Sequence, residues 1–206
     1  MEKLLDRYPS LRPLAEDIRA AADALIASYR AGGKLLACGN GGSAADCDHI
    51  VGELMKSFKI RRGAAPSLCE ALTEYGEDGA FLASTLEEGL PAISLCEHRA
   101  LSTAFANDRD PVAAFAQQVS VLGRSGDVLI ALSTSGNARN CCLAAITARA
   151  MGLTVIAITG ENGGRLATLA DIALRLPERE TYLVQELTLP IYHYLCAEIE
   201  ANFFGK

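Results

Sequence analysis

The sequence predicts an α/β protein built on a parallel sheet. Three continuous apolar runs indicate buried strands, and a turn and a segment of helical periodicity follow each of them: residues 34–38, 127–132 and 154–159. Strands that alternate with helices are typical of three-layer α-β-α proteins with four or five strands. In such proteins ligands bind beyond the carboxyl ends of the strands, so we expect the functional loops there.

The other elements are predicted from the spacing of apolar residues and from the glycine and proline residues that end or begin helices. Apolar positions at helical spacing predict an N-terminal helix over 11–30, which Gly32 and Gly33 end. Residues 63–90 have weak periodicity, and we interpret them as an insertion with one or two short helices. The remaining predictions are a strand at 91–96, a short helix ending at Asn107-Asp108, helices at 112–123 and from 138 to about 151, a strand at 171–176, and a long helix over 181–202.

Composition excludes several classes of function. The chain has 206 residues, half of them apolar, and a formal net charge of −6. This charge argues against nucleic acid as a partner, and no apolar run approaches the length of a membrane span. The N-terminus lacks a signal-peptide core, and seven cysteines without a C-x-x-C pair indicate a reducing compartment. We therefore expect one cytoplasmic domain with no nucleic-acid or membrane partner.

The loop after the first strand has the composition of an anion site. Gly39, Gly41 and Gly42 permit backbone conformations in which several N–H groups converge, and Ser43 begins the next helix. The N-terminus of a helix favours a phosphate. The loop matches neither the P-loop nor the dinucleotide motif, which argues against a nucleotide. A tight turn without a ligand is the alternative interpretation.

Four polar side chains on two predicted helices could carry chemistry. His49 and Glu53 are four residues apart and share one face of a helix. Gln185 and His193 lie eight residues apart on the last helix, with Pro190 between them. Spacing alone leaves three readings open: a divalent-metal site, an acid/base pair, or histidines with a purely structural role.

Six motifs in this order resemble the SIS (sugar isomerase) domain family. They are Cys38-Gly-Asn-Gly-Gly-Ser43, the His49/Glu53 pair, Asn107-Asp108, Ser133-Thr-Ser-Gly-Asn137, Thr159-Gly160 with Gly163-Gly164, and Gln185-Glu186 with His193. The resemblance covers most of the chain outside 63–90. It implies a flavodoxin-like five-stranded parallel sheet, with residues 1–33 as an N-terminal helical arm. Within the family, the His/Glu/Gln/His set is most similar to members that isomerise sedoheptulose 7-phosphate.

The resemblance also implies residue roles. Glu53 would be the catalytic base and His193 its partner in returning or relaying the proton, while His49, Glu53, Gln185 and His193 would bind one zinc ion per subunit. A homotetramer with active sites at subunit interfaces is implied as well. The implied substrate-binding residues are Asn40, Gly41, Gly42, Ser43, Asn107, Asp108, Ser133, Thr134, Ser135 and Gln185, with the phosphate on Ser43 and Ser133 to Ser135.

Departures from the family pattern leave the exact sugar open. Ala138 replaces a hydroxyl, Ser57 an arginine, and Tyr182 and Leu183 stand where polar residues precede the glutamine. One alternative is an isomerase of another ketose phosphate. The other is a non-catalytic regulatory member similar to the DnaA initiator-associating protein, which lacks the matching glutamate and second histidine.

Overall fold

The computed structural model, which describes residues 1–205, contains one five-stranded, all-parallel sheet with the strand order β2-β1-β3-β4-β5. This confirms the predicted fold class. The strands are β1 Leu35–Cys38, β2 Ala92–Ser94, β3 Val128–Ser133, β4 Thr154–Thr159 and β5 Ile172–Arg175.

The strand order creates a topological switch point between β1 and β3. These strands are direct neighbours, with Leu35 paired to Val128 and Cys38 to Ala131. From β1 the chain passes to β2 on one side, and it later continues from β3 to β4 on the other. The loops that leave β1 and β3 therefore diverge beyond the sheet and open a crevice, the position where such sheets bind ligands.

Ten α-helices are present between residues 1 and 205. They are α1 Glu2–Arg7, α2 Ala15–Arg30, α3 Gly42–Met55, α4 Pro66–Leu72, α5 Gly76–Thr85, α6 Arg99–Asp108, α7 Ala114–Leu122, α8 Arg139–Ala150, α9 Gly164–Leu169 and α10 Thr181–Phe204. Short 3-10 turns stand at Pro9–Leu14, Thr73–Tyr75 and Pro111–Ala113. No helix in this described part of the chain is long and apolar enough to cross a membrane.

Alternation along each strand divides the core between the two faces of the sheet. Leu35 and Ala37 contribute to a cluster with α2, α3 and α10, whereas Leu36 and Cys38 pack with α7, α8 and α9. The protein is therefore a three-layer sandwich. Its candidate catalytic helices, α3 and α10, lie side by side on one face.

The N-terminal region and residues 63–90 depart from or refine the predictions. Helix α1 was not predicted, because its six residues bury only Leu4 and give little periodic signal. Helix α2 begins at Ala15 rather than near Leu11, since Pro13 lies within the preceding 3-10 turn. Two short helices occupy residues 63–90.

Candidate active site

The glycine loop after β1 forms a tight entry into α3. Gly41 caps the helix with φ +58°, a backbone conformation that favours glycine, and the Ser43 N–H donates to the Asn40 carbonyl at 3.1 Å. Ser43 is 5 % exposed. The loop thus places a buried hydroxyl and the positive end of a 14-residue helix at the switch point, as an anion site requires.

The hydroxyl-rich loop after β3 is ordered by its own hydrogen bonds. Ser133 Oγ accepts from the Ala138 N–H at 3.3 Å, and Ser135 Oγ accepts from the Asn137 N–H at 3.1 Å. The Thr134 hydroxyl lies 3.3 Å from that of Thr181, the first residue of α10. These contacts hold the three predicted phosphate ligands at the same edge of the sheet as the glycine loop.

A reciprocal amide pair links the two sides of the crevice. Asn40 Nδ2 donates to Asn140 Oδ1 at 3.0 Å, and Asn140 Nδ2 donates to Asn40 Oδ1 at 2.7 Å. An open cavity of about 370 Å³ adjoins this pair and is lined by Cys96 among others. Asn107 and Asp108 lie exposed at the end of α6, so their role in substrate binding remains a prediction.

Gly136 allows the β3 loop to pack directly on the loop after β4. Its φ is +66°, and a Cβ there would lie 2.0 Å from the Gly163 carbonyl oxygen. We expect Gly136→Ala to reduce the free energy of unfolding by more than the ~1–3 kcal/mol of a strained backbone alone, because a backbone carbonyl must also move. Denaturant unfolding measures this loss. Gly32→Ala is the control, since Gly32 has φ +80° and open space around its Cβ position; equal losses in both variants would contradict the packing argument.

Three of the four predicted catalytic and metal-binding residues meet where α3 and α10 pack together. His49 Nε2 lies 3.2 Å from Glu53 Oε1, which confirms that the two side chains share one face of a helix. The rings of His49 and His193 have centroids 5.0 Å apart and are nearly perpendicular. Lys56 donates to the second carboxylate oxygen of Glu53 at 3.0 Å.

His193 presents an unpaired buried nitrogen to this cluster. Its Nε2 atom is buried and has no hydrogen-bond partner within residues 1–205. Burial, and next the neighbouring His49, lower the pKa of His193 below its ordinary value. The shift favours the neutral ring, in which one of the two nitrogens keeps a lone pair for a metal or a proton.

Gln185 lies apart from the other three residues. Its amide is next to Gly42, at the N-terminal end of α3, where an added Cβ would lie 2.6 Å from Gln185 Nε2. Eight residues of helix separate it from His193, about 12 Å along the axis. The structure places Gln185 beside the glycine loop, and its role as a metal ligand remains a prediction.

The chemistry of this cluster fits a divalent cation, although its side chains are not closed into a cage. No group of three or more His, Cys, Asp or Glu side chains within residues 1–205 has the spacing of a formed metal site. The orphaned Nε2 of His193 nevertheless lies beside an imidazole and a carboxylate, both common zinc ligands.

Two neighbours of the cluster were missed by the sequence analysis. The Tyr192 hydroxyl lies 2.9 Å from His49 Nδ1, and the direction of this hydrogen bond depends on the His49 tautomer. Asp46 lies three residues before His49 on α3; burial first, and the charge of Asp46 next, raise the pKa of Tyr192. The spacing of Asp46, His49 and Glu53 on one helix face was a readable signal, whereas the pairing with Tyr192 depends on the packing of α10.

A buried carboxylate fixes the segment that follows α3. Glu200 of α10 accepts the N–H groups of Phe58, Lys59 and Ile60 at 2.7, 2.8 and 3.1 Å, and Arg62 pairs with it at 2.7 Å. Burial opposes ionisation of Glu200, but these four donors outweigh it and lower its pKa. This cluster ties the end of α3 to α10, and no pattern in the sequence predicts it.

Comparisons with known proteins agree with the fold. Two SIS domain profiles match residues 3–88 and 105–196. A phosphoheptose isomerase of Burkholderia pseudomallei (strain K96243) is 38 % identical over 193 residues, which are 94 % of this chain and 85 % of that protein. The solved phosphoheptose isomerase GmhA from Neisseria gonorrhoeae superposes with a TM-score of 0.77 at 31 % identity, covering 97 % of this chain and 94 % of that one. The solved phosphoheptose isomerase from Francisella tularensis superposes with a TM-score of 0.77 at 31 % identity, covering 96 % of this chain and 93 % of that one.

Proposed function

Since this chain belongs to the SIS domain family, and within it to the phosphoheptose isomerases, we propose that it interconverts sedoheptulose 7-phosphate and D-glycero-D-manno-heptose 7-phosphate, the aldose–ketose isomerisation that begins heptose-nucleotide biosynthesis. The observation that carries the proposal is the meeting of His49, Glu53 and His193 on two helices, of which α3 begins at the glycine loop and α10 begins beside the hydroxyl-rich loop after β3. This arrangement supplies a base and a second proton-active group next to an anion site.

The reaction transfers one proton between adjacent carbons. Glu53 removes a proton from C1 of the ketose, the electron pair forms the C1–C2 double bond of an enediolate, and the proton returns at C2 while a hydroxyl proton moves from O1 to O2. Lys56 and His49 each hold one oxygen of the Glu53 carboxylate, so the base is oriented before substrate binds. No redox cofactor is needed, because one carbon is oxidised as its neighbour is reduced.

The substrate phosphate gives the reacting carbons their position. We assign it to Ser43, Ser133, Thr134 and Ser135, with the N-terminus of α3 adding its positive end. Asn40, Gly41, Gly42, Asn107, Asp108 and Gln185 are the proposed contacts to the rest of the sugar phosphate. Support comes from the shared edge of the sheet for the two loops and from the place of Gln185 beside Gly42.

We further propose one zinc ion per subunit, held by His49, Glu53, His193 and Gln185. Bound there, zinc would polarise the substrate carbonyl and stabilise the negative oxygen of the enediolate. His193 cannot be a ligand and a proton relay through the same Nε2 atom, because that lone pair serves only one purpose at a time. Whether His193→Ala still binds zinc therefore decides which role His193 has.

The assembly and cellular location are proposals of the same kind. We propose a cytoplasmic homotetramer with active sites at subunit interfaces. Large apolar side chains that are exposed in the single chain support association, among them Met55, Tyr75, Phe81, Val121 and Tyr182. The seven cysteines are free thiols, which is consistent with a reducing compartment.

A turnover assay on sedoheptulose 7-phosphate tests the proposal. We expect conversion to the aldoheptose phosphate, loss of activity with a chelator, recovery on adding Zn²⁺, and uptake of deuterium at C2 in heavy water because the base exchanges its proton. Unphosphorylated sedoheptulose is the control and should react far more slowly, since the phosphate loops would be empty. Binding of the phosphosugar without turnover would instead support a non-catalytic regulatory member, and turnover of a different ketose phosphate alone would change the substrate.

A further inference from the structure

We propose that the α4–α5 hairpin, residues 63–90, docks into a cationic cavity beside His193 on a second copy of this chain. This inference rests on the proposed homo-oligomer and deepens it, because it names the two surfaces of one interface. The juxtaposition that carries it is a complementary pair: an exposed tyrosine among carboxylates at the tip of the hairpin, and a cavity with an apolar lining and three positive side chains.

The hairpin packs on itself and leaves its large apolar side chains exposed. Helices α4 and α5 contact each other closely at Gly79, where an added Cβ would overlap the Leu72 carbonyl oxygen. Within residues 1–205, neither helix packs extensively on the sheet or on another α-helix. The exposed apolar side chains of the hairpin are Leu68, Tyr75, Phe81, Leu82 and Leu86. Isolated helices shorter than about 12–15 residues are marginal in water, so we expect a partner surface to cover these helices of seven and ten residues.

Hydrogen bonds fix the base of the hairpin and leave its far end free to reach a neighbour. The Glu88 N–H donates to the Gly63 carbonyl at 3.0 Å and closes the base. Glu87 accepts the Ser57 N–H at 2.8 Å, which ties the base to the segment after α3. The opposite end is the turn Thr73–Tyr75 between the two helices. The hairpin is therefore anchored at its base and presents its tip to the outside.

The charge of the hairpin favours a positive partner over a second hairpin. Residues 63–90 contain six acidic residues and no lysine or arginine, whereas the rest of the chain carries 19 acidic and 19 basic residues. Two hairpins packed face to face would bring like charges together, which opposes association. At the tip, Tyr75 is 67 % exposed and lies among the exposed carboxylates of Glu74, Glu77 and Asp78. A surface that receives this tip needs an apolar floor and a positive rim.

The cavity between the N-terminal helix α1 and α10 has this composition. It measures about 600 Å³, and its apolar lining consists of Leu4, Phe58, Leu189, Pro190 and Ala197. Lys3, Arg7 and Lys59 also line it, and none of these three cations joins an ion pair within residues 1–205. Two acidic residues, Glu2 and Glu198, belong to the adjoining cavity.

The position of the cavity decides which copy supplies the hairpin. No residue of 63–90 lines the cavity of its own chain, so a hairpin that fills it belongs to a second copy. Two-fold symmetry satisfies both copies at once, because each hairpin then enters the cavity of the other. His193 lines the cavity, and its ring lies 5.0 Å from that of His49. The docked hairpin would exclude water from one side of the proposed proton-transfer cluster, so turnover would depend on association.

Charge reversal followed by charge exchange tests the proposal on the full chain. The hairpin variant carries Glu74→Lys, Glu77→Lys and Asp78→Lys. The cavity variant carries Lys3→Glu, Arg7→Glu and Lys59→Glu. In sedimentation velocity over a range of protein concentrations, we expect each variant to associate at least about 30-fold more weakly than the unmodified chain, because like charges then meet. A chain with all six changes restores opposite charges and the original net charge, and it should associate nearly as tightly as the unmodified chain.

Tyr75→Ala tests the anchor without changing any charge. We expect it to raise the dissociation constant by about 30-fold or more, the usual effect of removing a tyrosine that fills a pocket at the centre of an interface. Tyr75→Phe is the matched control, because it keeps the ring and should associate almost as tightly as the unmodified chain. Should the charge variants not fold, this pair decides the proposal: equal association of Tyr75→Ala and Tyr75→Phe would overturn it.

The remaining outcomes separate this inference from the proposed function. Unchanged association in the hairpin variant, or no recovery in the chain with all six changes, would refute the docking. A chain that is monomeric at every concentration would refute it as well; sedoheptulose 7-phosphate binding lost only in the cavity variant would then make the cavity an anion site. Association is measured without substrate, so absence of turnover in the unmodified chain would refute the isomerase and leave the docking result standing.

Discussion

Replacing Glu53 with glutamine will lower turnover by about 10²- to 10⁴-fold, the usual contribution of a positioned general base. Glutamine has nearly the same shape but cannot take a proton from carbon at neutral pH. Its amide can still contact His49, so the packing of α3 on α10 and the unfolding transition should change little. Steady-state rates at saturating substrate and zinc, with bound zinc measured in the same samples, provide the comparison.

The zinc measurement is needed because Glu53 is also a proposed ligand. A variant that binds zinc normally and does not turn over has lost the base, whereas one without zinc has lost the metal. Glu198→Gln removes the same charge from an exposed position five residues beyond His193 and should keep the original rate. A rate for Glu53→Gln within tenfold of the unmodified chain would eliminate Glu53 as the base.

The largest effect on stability is expected from Glu200→Gln, at about 3–5 kcal/mol of unfolding free energy, the usual cost of removing one partner from a buried ion pair. Glu200 is 4 % exposed and accepts from three backbone N–H groups and from Arg62. Glutamine leaves the Arg62 charge without a counterion and turns an N–H group toward other donors. Denaturant unfolding at neutral pH measures the loss.

The pH dependence of that loss follows from the direction of the pKa shift. Glu200 has a folded-state pKa below its ordinary 4.5, so its stabilising contribution is complete above that pH and is lost as the pH falls through the folded value. The difference in unfolding free energy between the unmodified protein and Glu200→Gln should therefore become smaller in acid. Glu87→Gln is the control, because Glu87 accepts the neighbouring Ser57 N–H at 2.8 Å from an exposed position. A loss in Glu200→Gln no larger than in this control would show that the cluster does not stabilise the fold.

The architecture could be predicted because the buried strands of the sheet are continuous apolar runs in the sequence. The apolar run at 154–159 coincides with β4, and the run at 127–132 is displaced by one residue from β3. Parallel strands are buried on both faces, so such runs need no tertiary information. Helix α1 escaped prediction because it has six residues and one buried side chain, too few to show a period.

The site was predictable only where its residues are close in the chain. The contact of His49 with Glu53 follows from helical geometry alone. The approach of His193, and the bond from Tyr192 to a residue 143 positions away, depend on how α10 packs against α3. Residue spacing could not place His193 in this cluster. Only the family resemblance predicted that His193 acts together with His49 and Glu53. Nothing pointed to Glu200, since a lone glutamate on a helix is usually solvated.

Helix α3 runs without interruption from the proposed phosphate loop to the proposed base, so it sets the distance between them. Ser43 and Glu53 stand ten residues apart on one helix, a fixed interval of about 15 Å. A sugar anchored by its phosphate presents its carbons to Glu53 at a depth set by the number of carbons in between. A ketose one carbon shorter would shift its reacting bond by roughly an ångström, enough to cost about 10²-fold in rate. One residue inserted in α3 would swing the base about 100° around the helix axis. If Ser43 holds the phosphate and Glu53 is the base, we therefore expect selectivity for sugar chain length to follow from the helical rise between them.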